Sequence, residues 1–295
     1  MAFNAGVFSI TILGSGSAGN CALVESSGSR LLIDGGLSAR QIAVRLAQAG
    51  VAPDSLDGIL ITHEHCDHVA GLRVFCKRAP IPVYCTRLTA ELLRKAELAE
   101  HREIRQFQAG SDFSVGDITI CSFSVPHDAV DPVGFVLHHG EEALGFLTDL
   151  GKCTHLARER VRGVSTLVIE TNHDEKTLQN DTKRPWSVKQ RIMSAHGHLS
   201  NTAAAEELAG FLEFGLNRAI LCHLSRDCNS PEMAVGAVQT RLGQAGVTNE
   251  VAVYCASQTE VSPRFEIRRA VLESSLAAQV PNRQPGLMGF DEFDD

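Results

Sequence analysis

Ile59-Leu60-Ile61-Thr62-His63-Glu64-His65-Cys66-Asp67-His68 runs an apolar strand straight into four side chains able to bind a metal. In an extended segment alternate residues point the same way, so His63, His65 and Asp67 are expected on one side. His68 breaks the alternation, as at a turn into a helix, and can address a second ion. The same spacing points Cys66 away. Neutral imidazole and carboxylate suit borderline cations such as zinc, manganese or iron. The competing reading is a His-rich surface turn. Four ligand-type residues directly after a buried-type strand argue against it.

Outward from this stretch, the placement repeats. His127 follows the apolar run Ile118 to Val125, Asp149 follows Leu144 to Thr148, and His223 follows Ala219 to Cys222. Ligands of α/β sheets gather just beyond the carboxyl ends of strands, so groups from separate parts of the chain can converge on one edge. The rest of the chain alternates strand and helix patterns. Cys21 to Glu25 and Arg30 to Asp34 flank a hairpin turn at Ser26-Ser27-Gly28-Ser29. Ala39, Ile42, Ala43, Leu46 and Ala47 keep helical spacing, with Ser38 as cap and Gly50 as stop. Further strand runs are expected at 58–62, 81–85, 118–125, 143–148, 166–170, 218–222 and 250–255. Helices are expected near 88–99, 187–195, 201–214 and 231–245.

The 295 residues are 44% apolar, 21% charged and only 5% aromatic, so an ordinary globular α/β chain with an aliphatic core is expected. No run is long enough to span a bilayer. Met1 to Gly6 lacks the basic-then-apolar pattern of a signal peptide, so the expected location is cytoplasmic. Nine cysteines, without C-x-x-C spacing, speak against both a disulfide framework and a cysteine zinc site. The net charge is −8, with four acids in the last five residues. Nucleic-acid binding would therefore need a local basic patch.

The motifs together resemble a known family. His63-x-His65-x-Asp67-His68 looks like the signature of the metallo-β-lactamase superfamily. Within it the chain is similar to the bacterial YycJ (VicX)-like metallohydrolase group. That likeness is carried by Leu13 to Cys21, Leu32-Ile33-Asp34, Pro126 to Pro132, Thr148 to Gly151, Glu170 to Asp174, Gly197 to Asn201 and Cys222 to Arg226. The resemblance implies an α/β fold, an αββα sandwich of two mixed sheets flanked by helices. One domain over 1–280 is expected, followed by an acidic, disordered tail over 281–295. By the same resemblance His63, His65 and His127 hold one divalent ion, Asp67, His68 and His223 hold the other, and Asp149 bridges both.

Two adjacent divalent ions lower the pKa of a bridging water toward neutrality. The expected activity is a metal-dependent phosphodiesterase or nuclease, exonuclease-like on DNA or RNA, attacking through that hydroxide with Asp67 orienting it. The alternative is a hydrolase of small thioesters or cyclic phosphodiesters. A di-iron redox enzyme is disfavoured by His65, where the diflavin-linked relatives carry Glu. A non-catalytic, partner-binding protein is disfavoured by the intact ligand set.

Secondary features point to nucleic acid. Gly197-His198-Leu199-Ser200-Asn201 opens a helix and resembles the element of tRNA-processing members in which a His assists the leaving group. Glu170 is placed to orient His198. Lys183, Arg184 and Trp186 are candidates to grip a backbone and stack a base. Ser200, Arg226 and His173 are candidate substrate contacts, as are Ser15, Ser17 and Asn20 in the glycine loop. That loop, Gly14-x-Gly16-x-x-Gly19, matches a dinucleotide fingerprint but is followed by a strand-like run instead of the helix the fingerprint requires. Asp34 is expected to support the metal loop by hydrogen bonds. The acidic tail, with Phe290 and Phe293, reads first as a solubilising segment, with docking on a basic groove of a partner protein as the alternative.

Overall fold

Alternation along the first three strands, β1 (Ser9–Gly14), β2 (Cys21–Glu25) and β3 (Arg30–Ile33), creates two buried faces. Ile10, Ile12, Val24, Leu31 and Ile33 share one apolar cluster, while Leu13, Leu23 and Leu32 belong to another. A sheet covered on both faces is what that pattern demands. These are features of a computed structural model, which describes residues 7–79, 81–98, 103–246 and 251–269. The expected tail at 281–295 lies outside them.

The chain then alternates. It forms α1 (Ala39–Gln48), β4 (Gly58–Leu60), α2 (Cys66–Val69), α3 (Leu72–Arg78), β5 (Val83–Thr86), α4 (Arg87–Lys95) and β6 (Ile104–Phe107). Next come four antiparallel neighbours, β7 (Asp112–Val115), β8 (Ile118–Ser124), β9 (Val133–His139) and β10 (Glu142–Leu147). The remainder supplies α5 (His155–Val161), β11 (Thr166–Glu170), α6 (Glu175–Asn180), α7 (Trp186–Ile192), α8 (Asn201–Phe211), β12 (Arg218–Cys222), α9 (Pro231–Gln244), β13 (Ala252–Cys255) and β14 (Phe265–Glu266).

Two seven-stranded sheets result, ordered β14-β1-β2-β3-β4-β5-β6 and β13-β12-β11-β10-β9-β8-β7. Each is antiparallel on one side and parallel on the other. The change falls at β3, which pairs antiparallel with β2 and parallel with β4, and at β10, which does the same with β9 and β11. Phe135, Leu144, Phe146 and Val168 of the second sheet meet Ile10, Val24 and Ile33 of the first in one inner core. On the outer faces, α1, α3 and α4 cover the first sheet through Ile42, Leu46, Phe75 and Leu93. The second sheet is covered by α5, α8 and α9 through Val161, Leu208 and Val238. The order helix, sheet, sheet, helix is the expected αββα sandwich.

Local signals hold where they were strongest. Ser38 caps α1 in a capping box with Gln41, and Gly50 follows its end at φ +76°. No cysteine pair forms a disulfide among the described residues. The glycine loop leads from β1 into the antiparallel strand β2, which removes the dinucleotide reading. Among the described residues no helix is long and apolar enough to cross a membrane.

Candidate metal centre

Asp34, Asp149 and His223 lie within two residues of the ends of β3, β10 and β12, and all three sit in the left-handed region, at φ +62°, +55° and +56°. Few non-glycine residues adopt it. Here it stops each strand and turns a polar side chain into the space above the sheet edges. The 61–68 segment enters the same space from β4. Only its first half is extended: Asp67 and His68 lie on α2, whose N-cap is His65. Period-two alternation therefore holds for His63 and His65, while the helical turn sends Asp67 elsewhere.

The glycine loop clamps that segment. Asn20 and Gly35 donate backbone N–H bonds to the carbonyls of Asp67 and His68, at 2.8 and 2.7 Å. A Cβ on Gly36 would lie 1.6 Å from the Asp67 carbonyl oxygen, so only glycine permits the approach. The Asn20 side chain reaches the Asp67 carboxylate at 3.4 Å and His68 Nε2 at 3.3 Å. The Ser15 hydroxyl accepts the His223 backbone N–H and donates to Asn20 Oδ1.

Two triads converge above this platform. His63, His65 and His127 form one, and Asp67, His68 and His223 form the other. In each, the candidate ligand atoms lie within 4.8 Å of one another. Asp149 stands between them: it groups with His63 and His68, and its carboxylate oxygens lie 3.1 Å from His68 Nε2 and 3.8 Å from His127 Nε2. His65 Nδ1 is 3.3 Å from His127 Nε2, and His223 Nε2 is 3.2 Å from Asp67 Oδ2. Ligands at about 2.0–2.1 Å from a tetrahedral ion stand about 3.3 Å apart. The buried atoms His63 Nε2 and Asp149 Oδ2 have no hydrogen-bond partner. His68 Nε2 approaches Asp149 Oδ2 to 3.1 Å, a spacing that two ligands of one ion would show. An all-nitrogen-and-oxygen donor set with orphaned buried atoms fits divalent cations.

The far side of each ring is tied down. With the proton on Nδ1, His68 donates to Asp34 Oδ2 (2.8 Å), His127 to the Gly197 carbonyl (3.0 Å), and His223 to Glu170 Oε1 (2.8 Å). That tautomer leaves Nε2 of all three rings free to bind a cation. Thr62 Oγ1, within hydrogen-bond reach of Asp34, His63 and His68, is a support the sequence did not flag; its only signal was its place just before His63. Asp128, also unflagged, puts Oδ1 3.4 Å from His127 Nε2 and is held by Arg191.

Glu170 is fully buried and takes four donors. Oε1 accepts from His198 and His223, each at 2.8 Å; Oε2 accepts the backbone N–H groups of Leu150 and Leu199. Those bonds occupy the carboxylate's acceptor sites, although Glu170 also groups with Asp149, His198 and His223 as residues that could hold an ion. Burial opposes its charge, yet His198 and His223 bring its pKa down to about 2. Burial also opposes charge on His223, but Asp149, Asp67 and Glu170 push it up to about 10. His63 goes the other way: burial and the surrounding imidazoles hold it well below its ordinary value, the neutral form a cation needs.

His198 sits beside the triads, its ring 5.4 Å from that of His223 and 5.1 Å from that of His127. His173 is buried with Nδ1 unpartnered. Ser200 caps α8 and donates to Glu175. Lys183 and Arg184 are not free cations: both pair with Asp227, and Arg184 also with Asp181. Trp186 is 58% exposed on α7. Ser17 and Arg226 line an open pocket next to His223.

A family profile described as a beta-lactamase superfamily domain matches residues 29–224. Over 265 residues the chain is 35% identical to Exodeoxyribonuclease WalJ of Streptococcus pneumoniae, covering 88% of this chain and 98% of that one. It is 34% identical to Exodeoxyribonuclease YycJ of Bacillus anthracis over 239 residues, 80% of this chain and 89% of the relative. Among solved structures, the metallo-beta-lactamase fold protein YhfI from Bacillus subtilis superposes with a TM-score of 0.67. It is 19% identical and covers 86% of this chain and 99% of its own.

Proposed function

The chain belongs to the beta-lactamase superfamily, and from that premise we propose that it is a dinuclear metal-dependent phosphodiesterase working as an exonuclease on DNA. The observation that carries this reading is the pair of ligand triads either side of Asp149. His63, His65 and His127 would hold one ion, Asp67, His68 and His223 the other, with Asp149 shared. A donor set of imidazole and carboxylate suits zinc, manganese or iron. Bound there, such ions acidify water and offset negative charge on the attacked phosphate.

The protein's own groups do the rest. Asp67 has a fifth of its side chain exposed, against 3% or less for Asp149 and Glu170, so it is placed to orient the attacking water. Burial opposes charge on His198, but Glu170, which accepts its Nδ1–H, raises its pKa, so the doubly protonated ring can give its Nε2 proton to the leaving oxygen. Asp34 and Glu170 keep the ligand rings from rotating. The DNA assignment is supported by the names of the two relatives that cover most of the chain. A cytoplasmic location is part of the same proposal.

Protein loaded with Mn²⁺ or Zn²⁺ is given end-labelled duplex DNA, single-stranded DNA, RNA, a thioester and a cyclic phosphodiester. The expected result is stepwise shortening of DNA, lowered at least about a hundredfold in Asp149→Asn. Turnover of the thioester alone overturns the nuclease reading.

A further inference from the structure

The helix α7 is tied at both ends to loops that carry candidate ligands. At its C-terminal end the Ile192 carbonyl accepts the His198 backbone N–H at 2.9 Å, and Arg191 pairs with Asp128, the residue after His127. Just before its N-terminal end, Lys183 and Arg184 pair with Asp227, four residues after His223. On its flank Lys189 donates to the Gln179 carbonyl at 2.8 Å, which fixes α7 against the end of α6. The helix is thus a fixed rail between the His127 loop and the His223 loop.

Trp186 opens that helix. At 58% it is the most exposed large apolar side chain among the described residues. Among them no ring or guanidinium stacks on it and no group hydrogen-bonds its indole. The fold therefore gains little from an indole at this position. Its surroundings put cations outermost. Lys183 and Arg191 have 73% and 69% of their side chains exposed, against 35% and 28% for their partners Asp227 and Asp128. In a chain of net charge −8, a polyanion approaching here meets ammonium and guanidinium groups before carboxylates. A free aromatic face flanked by cations suits a nucleotide, because the cations face the phosphates while the indole takes the base. From Trp186 to Ile192 the helix rises about 9 Å, which is about two to three base steps of a stacked strand.

We propose that Trp186 stacks on a base of the strand being degraded, about two to three nucleotides from the bond that is cut. The inference rests on the nuclease reading above and deepens it, because it makes the bases as well as the phosphates part of what is recognised. Every base has a π-face, so this grip is indifferent to sequence. Trp186 binds the strand and takes no part in bond cleavage, so its loss is read in KM.

The chain has a single Trp, so its fluorescence reports this position alone. The full chain loaded with Zn²⁺ is titrated with short single-stranded DNA whose phosphorothioate linkages resist cleavage, and with a base-free strand of the same length. The base-bearing strand is expected to quench the emission saturably, and the base-free strand to leave it unchanged. In anisotropy measurements with dye-labelled strands, Trp186→Ala is expected to weaken binding of the base-bearing strand about tenfold, and Trp186→Phe to restore most of it. The base-free strand is expected to bind wild type and Trp186→Ala alike. On cleavable DNA the Trp186→Ala loss should appear as a similar rise in KM. Binding of the base-bearing strand without any change in emission overturns the stacking proposal, and so does undiminished binding by Trp186→Ala. Either result leaves the nuclease reading standing, provided that DNA is still cut. Failure to bind any strand, together with no cleavage of nucleic acid by the metal-loaded protein, overturns the nuclease reading and this proposal with it.

Discussion

Glu170 shows how much a single carboxylate can carry. One oxygen takes the Nδ1–H of both His198 and His223 while the other takes two backbone N–H groups. An amide cannot serve all four donors, because its NH₂ end must face either the imidazoles or the backbone. Glu170→Gln should therefore lower metal retention after dialysis, and kcat with it, by about 10–100-fold. Normal metal content with only kcat reduced would mean that Glu170 serves His198 alone. Gly36→Ala should cost about 1–3 kcal/mol and loosen the same site, because its Cβ collides with the Asp67 carbonyl. A urea titration beside a metal assay measures both effects. The candidate ligands were legible because His63, His65, Asp67 and His68 stand at close spacing after an apolar run. The double duty of Glu170 was not. Its partners lie 28 and 53 residues along the chain, and only folding reveals that both rings reach one oxygen.

At the level of elements, the site is made by strands that stop. β3, β4, β8, β10, β11 and β12 all deliver their next residues to one edge, and the switch from antiparallel to parallel pairing at β3 and β10 opens the crevice there. Buried strands such as β11 and β12 were readable as apolar runs. Strands β6 and β7 were not: Ile104–Phe107 and Asp112–Val115 are at sheet edges and largely open to solvent, so no strong pattern marks them. The six- and seven-residue helices α5 and α6 are too short to show a period. The helices of the outer layers contribute stability without touching the ligands. Thr154 caps α5 by accepting the Ala157 N–H. Thr154→Ala is accordingly expected to cost about 1 kcal/mol in a denaturant titration while metal content stays at the wild-type level. Loss of metal in that variant would show that the outer layer and the site are coupled.

Across the whole molecule, the two sheets each own part of the cage. His63, His65, Asp67 and His68 come from the first sheet; His127, Asp149 and His223 come from the second. Strand order along the chain does not announce this face-to-face pairing, because inter-sheet packing such as the cluster that holds both Ile10 and Phe135 leaves no local pattern; it was legible only through the family resemblance. The arrangement would make a bound ion a cross-link between halves that also meet through the apolar inner core and through hydrogen bonds such as Val133 N–H to the Thr62 carbonyl. Ions that bind only the folded state add about 2.7 kcal/mol at a hundred times their Kd. For a chain of this size that corresponds to a rise in Tm of about 5–10 °C. Adding Mn²⁺ or Zn²⁺ to chelator-treated protein should produce such a rise in a single transition. His127→Ala and His63→Ala should each remove much of it, because each takes a ligand from a different sheet. If His127→Ala keeps the full rise while His63→Ala loses it, the first sheet holds the ions alone, and the cross-link between the sheets is refuted.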